Sequence, residues 1–133
     1  MMNEVRMGNY CSVAPYVQIG GTEHSWWWGS TSSRISEHNV FDKETIIGDD
    51  VWIGANAFIR QGLNIGRGSV IGAGSVVLKN LAPYTIVAGV PAKEVKKRFP
   101  EHVIREIVST RFWDYPPEKA RALLNTINYP EIF

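Results

Sequence analysis

A single cysteine, Cys11, leaves this chain of 133 residues unable to close an intrachain disulfide. A disulfide-stapled secreted scaffold is thereby excluded, and a reducing cytoplasm is the expected compartment. No histidine is placed beside Cys11 by motif, so the thiol reads as a small buried residue rather than a nucleophile. Long apolar runs are also missing: nothing approaches the length of a membrane span, and Met1-Met2-Asn3-Glu4-Val5-Arg6 lacks the apolar core of a signal peptide. Nor is there an excess of charge of either sign. With 14 basic residues against 13 acidic ones, the net charge of +1 offers no electrostatic footing for nucleic acid. What remains is the length of one domain with a small appendage.

Glycine and aliphatic residues, by contrast, are abundant and ordered. Read in sixes from Ile47, the chain gives Ile47-Gly48-Asp49-Asp50-Val51-Trp52, Ile53-Gly54-Ala55-Asn56-Ala57-Phe58, Ile59-Arg60-Gln61-Gly62-Leu63-Asn64, Ile65-Gly66-Arg67-Gly68-Ser69-Val70 and Ile71-Gly72-Ala73-Gly74-Ser75-Val76. Four of these five units place Gly after the aliphatic residue, and the fifth position is small or β-branched except at Leu63. Such periodicity outranks local propensity. It predicts a three-sided parallel β-helix in which each unit supplies one short strand and one corner, and successive coils pair at about 4.8 Å. The aliphatic residue points inward, and Gly is expected at the corner for the backbone angles it permits. An antiparallel sheet would instead alternate at period two, with turns of variable spacing.

The same phase begins at Met7-Gly8-Asn9-Tyr10-Cys11-Ser12 and runs to His24, one complete coil. It is lost over 25–45, which reads as an excursion thrown out from a corner, and it returns at Ile47. The excursion holds Trp26-Trp27-Trp28, a run whose apolar surface argues for a covered or functional role. After Leu78 the coil runs out, and Ile86-Val87-Ala88-Gly89-Val90-Pro91-Ala92-Lys93 reads as a final strand and exit turn. Lys93, Lys96, Lys97 and Arg98 then form a basic cluster. Two helices should close the chain: one over about 101–110 with Val103, Ile104, Ile107 and Val108 at helical spacing, and one opened by Pro116-Pro117 with a stripe of Ala120, Leu123, Leu124 and Ile127. The expected division is a β-helix over 1–97, carrying the excursion, and a helical extension over 98–133.

These motifs resemble the hexapeptide-repeat acyltransferases. Within that family Val51-Trp52-Ile53-Gly54, Ile71-Gly72-Ala73-Gly74-Ser75 and Ala88-Gly89-Val90-Pro91-Ala92-Lys93 look most like the branch of xenobiotic and sugar O-acetyltransferases. Arg111-Phe112-Trp113-Asp114-Tyr115-Pro116 is similar to the aromatic C-terminal signature of the xenobiotic enzymes. The resemblance implies an all-β, left-handed parallel β-helix, a handedness that the general preference for right-handed crossovers would not have supplied. Family members usually carry further sequence before the first coil, which puts the acceptor pocket of this chain in question. A prism of so few coils also buries little per chain, so oligomerisation is expected, and the resemblance implies that the oligomer is a homotrimer with its sites between subunits.

Acetyl transfer from coenzyme A to a hydroxyl or amine needs a base for the acceptor proton, donors for the oxyanion and a groove for the thioester. His24 is the expected base: it ends a repeat unit where the coil opens into the excursion, and imidazole titrates near neutral pH. Glu23-His24-Ser25-Trp26 also matches the position of the catalytic His in the resembling family. By the same resemblance acetyl-CoA lies along Ala55, Ala73, Leu78 and Lys79, with Lys79 and Lys96 meeting its phosphates and Lys93 and Lys97 as alternates. Tyr16, Trp26 and Trp52 are the expected lining for a small-molecule acceptor, an antibiotic or a sugar. No metal is expected, because the zinc-dependent relatives of this fold need closely spaced His within the coils and no coil from Ile47 onward has one. The other reading is a non-catalytic trimeric scaffold with an incomplete acceptor site.

Overall fold

The computed structural model describes residues 4–38 and 43–131. Among the described residues nine short strands wind three to a coil. They are β1 (Val5–Met7), β2 (Ser12–Val13) and β3 (Gln18–Ile19), then β4 (Thr45–Ile47), β5 (Trp52–Ile53) and β6 (Phe58–Ile59), then β7 (Asn64–Ile65), β8 (Val70–Ile71) and β9 (Val76–Val77). Every pairing between these coils is parallel, with Met7 on Ile47 on Ile65, Val13 on Ile53 on Ile71, and Ile19 on Ile59 on Val77. Three faces result: β1-β4-β7, β3-β6-β9, and a longer face on which β10 (Thr85–Gly89) and β11 (Ala92–Lys97) continue from β2-β5-β8.

The inward column is the core. Ile47, Ile53, Ile59, Ile65, Ile71 and Val77 are all 2% exposed or less, and each contributes about 1.5–3 kcal/mol by leaving water. Val51, Ala57, Ser69 and Ser75, at the fifth position of their units, are equally buried beneath the corners. That position admits little volume, and the larger Leu63 is only partly buried. Cys11 sits half-buried in this wall, its Sγ 3.1 Å from the Gly48 carbonyl, and burial pushes its thiol pKa up.

The glycines after Ile47, Ile53 and Ile65 are needed for space rather than for backbone angle. A Cβ on Gly54 would lie 2.5 Å from the Ala73 nitrogen, and one on Gly48 would lie 2.7 Å from that of Arg67. Positive φ falls two positions later instead and stacks in columns: Tyr10, Asp50, Gly68 and Tyr84 on one corner, Tyr16, Asn56 and Gly74 on the next. Each column carries its own ladder, in which the amide of Asp50 donates to Asn9, that of Gly68 to Asp49 and that of Tyr84 to Arg67.

After the third coil the chain does not exit directly. β10 pairs in parallel with β8, and β11 then returns antiparallel to β10, with Ile86 opposite Lys96. The segment expected as a loose basic cluster is thus an edge strand. Its charged side chains suit a strand with one side facing water. Lys97 is tied down, with Nζ donating to Thr85 Oγ1 at 2.8 Å and to the Pro83 carbonyl at 3.1 Å.

The two helices, α1 (Glu101–Thr110) and α2 (Pro117–Leu124), pack on the corner column of Tyr10 and Asp50. Val103, Ile107, Phe112, Trp113 and Ala120 close a second apolar cluster over the buried Tyr84 ring. Val108, expected on the apolar stripe of α1, faces out. Polar clamps fix the docking: Asn9 Nδ2 donates to the Trp113 carbonyl at 3.0 Å, Tyr10 Oη to that of Tyr115 at 2.6 Å, and the Arg67 guanidinium lies 3.7 Å above the Trp113 ring. Arg98 Nη1 bridges Asp50 Oδ2 at 3.1 Å and the Gly68 carbonyl at 2.9 Å.

Burial pushes the Asp50 pKa up, against the opposing pull of Arg98. The folded chain therefore holds this proton more tightly than the unfolded chain does. The contribution of Asp50 to stability is full below the ordinary carboxylate range and is lost as pH rises through its raised folded value. Urea unfolding across that window should show wild type losing stability relative to Asp50→Asn as pH increases. The Arg98 ion pair is made only by the ionised carboxylate, so its loss in Asp50→Asn falls within the same pH dependence rather than beside it.

Candidate active site

The prism opens at the corner that follows β3. Gly20 and Gly21, with φ of 74° and 122°, turn the chain out after Ile19, and it re-enters at Thr45. Thr45, expected as the last residue of the excursion, already belongs to β4. Its fully buried side chain accepts the Gly62 amide through Oγ1 at 3.0 Å. Asn39 to Asp42 of the excursion lie outside the described residues.

The base of the excursion is bonded to itself. Ser25 is 3% exposed, and its Oγ meets Ser36 Oγ at 2.8 Å. Ser36 Oγ also accepts the His38 amide at 3.1 Å, while the Ser32 carbonyl accepts the amide of Ser36 at 3.0 Å. Burying Ser25 turns the neighbouring His24 outward, where its Nδ1 lies 2.7 Å from the Thr31 carbonyl. A carbonyl only accepts, so Nδ1 must carry the hydrogen, and Nε2 of the neutral ring is left with its lone pair. His38 lines the same cavity of about 80 Å³ as His24.

Glu23 forms the wall between that cavity and a larger one of about 400 Å³, lined also by Trp27, Lys43, Arg60, Gln61, Gly62 and Leu63. Its carboxylate is held by both oxygens, Oε1 accepting from Arg60 Nε at 2.9 Å and Oε2 from Gln61 Nε2 at 2.6 Å. Gln61 Oε1 in turn accepts the Lys43 amide at 3.0 Å. Of the aromatic run it is Trp27 that lines this cavity. Trp26, expected to line the acceptor site, stands 80% exposed with its ring edge-on to Trp27 at 6.0 Å.

The other expected residues fall into separate groups. Ala55 and Ala73 lie one coil apart on the corner before β6 and β9, with Tyr16 in the coil below them, 86% exposed. Leu78 and Lys79 follow β9 on the next corner, the one from which the excursion leaves. The face β3-β6-β9 separates these two sets. Trp52 and Lys96 are brought together on the adjacent long face, where with Val70, Ile86, Arg98 and Phe99 they line a cavity of about 560 Å³. Within one chain Lys79 and Lys96 therefore do not converge on a common phosphate.

Residues 44–79 match a family model described as bacterial transferase hexapeptide (six repeats). A chloramphenicol acetyltransferase of Escherichia coli is 36% identical over 90% of this chain and 64% of its own length. A second, from Morganella morganii, is 32% identical over 99% of this chain and 70% of its own. Among solved structures, a galactoside acetyltransferase in complex with coenzyme A superposes with a TM-score of 0.60, at 33% identity, over 71% of this chain and 45% of that one. The chain thus spans about two thirds of the length of these curated relatives.

Proposed function

The chain belongs to the hexapeptide-repeat acyltransferases and has their left-handed parallel β-helix, and from that membership we propose that it moves an acetyl group from acetyl-CoA to a hydroxyl of a small-molecule acceptor. The observation that carries this reading is the bond from His24 Nδ1 to the Thr31 carbonyl, because it fixes the ring at the mouth of the excursion and, in the neutral imidazole, assigns the lone pair to Nε2. Nε2 takes the proton of the acceptor hydroxyl as its oxygen bonds to the acetyl carbon. The C–S bond breaks, and the proton passes from His24 to the departing thiolate. No acyl-enzyme intervenes: Ser25 Oγ is turned into the wall and spent on Ser36, and Cys11 lies on another corner with its thiol bonded to Gly48.

The residues assigned to acetyl-CoA suit a groove completed by a neighbouring chain. Ala55 and Ala73 keep one corner low enough for the pantetheine arm to reach the backbone, while Leu78 and Lys79 border the same face on its far side. Lys96 and Trp52, on the adjacent face, would serve the cleft of the next prism in a homotrimer. Coenzyme A at a hundredfold excess over its Kd should stabilise the protein by roughly 2.7 kcal/mol, read as a rise in Tm. Thiol release from acetyl-CoA across a panel of hydroxyl and amine acceptors tests the chemistry. A protein that neither shifts with coenzyme nor releases thiol would be a scaffold rather than an enzyme.

A further inference from the structure

We infer that Ser36 is a positioning residue for the base: its hydroxyl accepts from that of Ser25 and so keeps the Thr31 carbonyl against His24 Nδ1. The effect on turnover rests on the acetyl-transfer reading, while the state of the ring can be read without any turnover. Ser36 Oγ lies 3.2 Å from the His38 carbonyl, which only accepts, so the Ser36 hydrogen goes there. Ser25 must then be the donor in the 2.8 Å contact between the two hydroxyls. With the His38 amide also donating to it at 3.1 Å, Ser36 Oγ has its hydrogen and both lone pairs in use.

These bonds close a ring. From His24 the path runs to Ser25, across the hydroxyl pair to Ser36, from the Ser36 amide to the Ser32 carbonyl at 3.0 Å, and through one peptide to Thr31. The Thr31 carbonyl, 2.7 Å from His24 Nδ1, completes it. Two cross-links therefore join the limb 24–25 to the limb 31–36, where one alone would act as a hinge. They differ in their surroundings. His24 and Thr31 are exposed, so water competes for that bond and its net worth is small. Ser25 is the one buried residue within 25–38, and a hydrogen bond made out of water is the firmer of the two. On the other side of His24, Glu23 is fixed to the next coil by Arg60 and Gln61. The base is thereby held between an anchor on the prism and a latch on the excursion.

The experiment reads the ring before the rate, on the whole chain. Long-range proton–nitrogen correlation NMR at alkaline pH, where imidazole is neutral, separates the two tautomers, and with three histidines in the chain the His24→Ala spectrum assigns the signal. Wild type should hold the hydrogen on Nδ1. Ser36→Ala, which also leaves the buried Ser25 hydroxyl without its acceptor, should move His24 toward the Nε2–H form that free imidazole prefers. It should lower kcat for thiol release about tenfold with the acceptor KM little changed. Ser36→Thr keeps the hydroxyl and should restore both. Ser25→Ala should act in the same direction, with the double variant no worse than Ser36→Ala. The coils pair without the excursion, so these variants should melt like wild type. An unmoved tautomer in Ser36→Ala, or a loss that Ser36→Thr does not recover, overturns the role given to Ser36. A moved tautomer with unchanged turnover overturns it too, provided His24→Ala abolishes that turnover. If the tautomer moves and His24→Ala keeps its turnover, the latch stands and His24 is not the base.

Discussion

Replacing His24 by Ala is expected to lower the turnover number about 10²- to 10⁴-fold, the usual cost of losing a positioned general base. Coenzyme binding should survive, because His24 is exposed at the excursion mouth and supports no part of the prism core. The variant should therefore melt like wild type and keep its Tm rise with coenzyme A while thiol release collapses. That separation of binding from chemistry marks the loss of an interaction made in the transition state. A fall of only two- or threefold would remove His24 from the mechanism. His38 would then be the residue to replace, since it lines the same small cavity.

The second large effect concerns folding. Gly54→Ala should cost about 3 kcal/mol, near the upper range for overpacking, since its new methyl would lie 2.5 Å from the Ala73 nitrogen and 2.9 Å from its Cα. Backbone in the next coil cannot rotate away as a side chain can. Gly74→Ala makes the opposite trade: φ is 69°, but nothing lies within 4 Å of the added methyl, so the cost is only the left-handed penalty of about 1–2 kcal/mol. Urea midpoints for the two variants decide the matter. If Gly74→Ala proved the more damaging, the glycines of the repeat would be serving backbone angle after all.

That comparison also marks what could be read from sequence. The six-residue period predicted the inward column from Ile47 to Val77 and the parallel stacking, because one repeated contact specifies every coil. Helical spacing located α1 over Glu101–Thr110. The reason for Gly54 was hidden, since crowding by Ala73 exists only once the coils are stacked. The β10–β11 hairpin was hidden as well, because an edge strand with charged side chains on most positions looks like a solvated run.

At the site, His24 was marked by its place where the phase breaks, whereas its partner Thr31 and the fork on Glu23 were not. Arg60 and Gln61 reach Glu23 from the next coil, 37 and 38 residues away. A signal did exist. Of the five complete units, Ile59-Arg60-Gln61-Gly62 is the one without glycine after its aliphatic residue, which leaves two long polar side chains at the corner where the excursion departs. The choice between Trp26 and Trp27 carried no such mark, as neighbouring residues in a loop follow no period.

The excursion leaves the prism after Ile19, whose partner is Ile59, and rejoins at Thr45, whose hydroxyl accepts the amide of Gly62. Both ends are thus anchored on a single corner, one coil apart, and the coils beneath close their ladder without help from the inserted residues. Lengthening such a closed loop is cheap, about 0.6 kcal/mol for each doubling. Insertions in the excursion can therefore change the surface it presents, by single residues or in larger pieces, while the stack of coils beneath stays as it is.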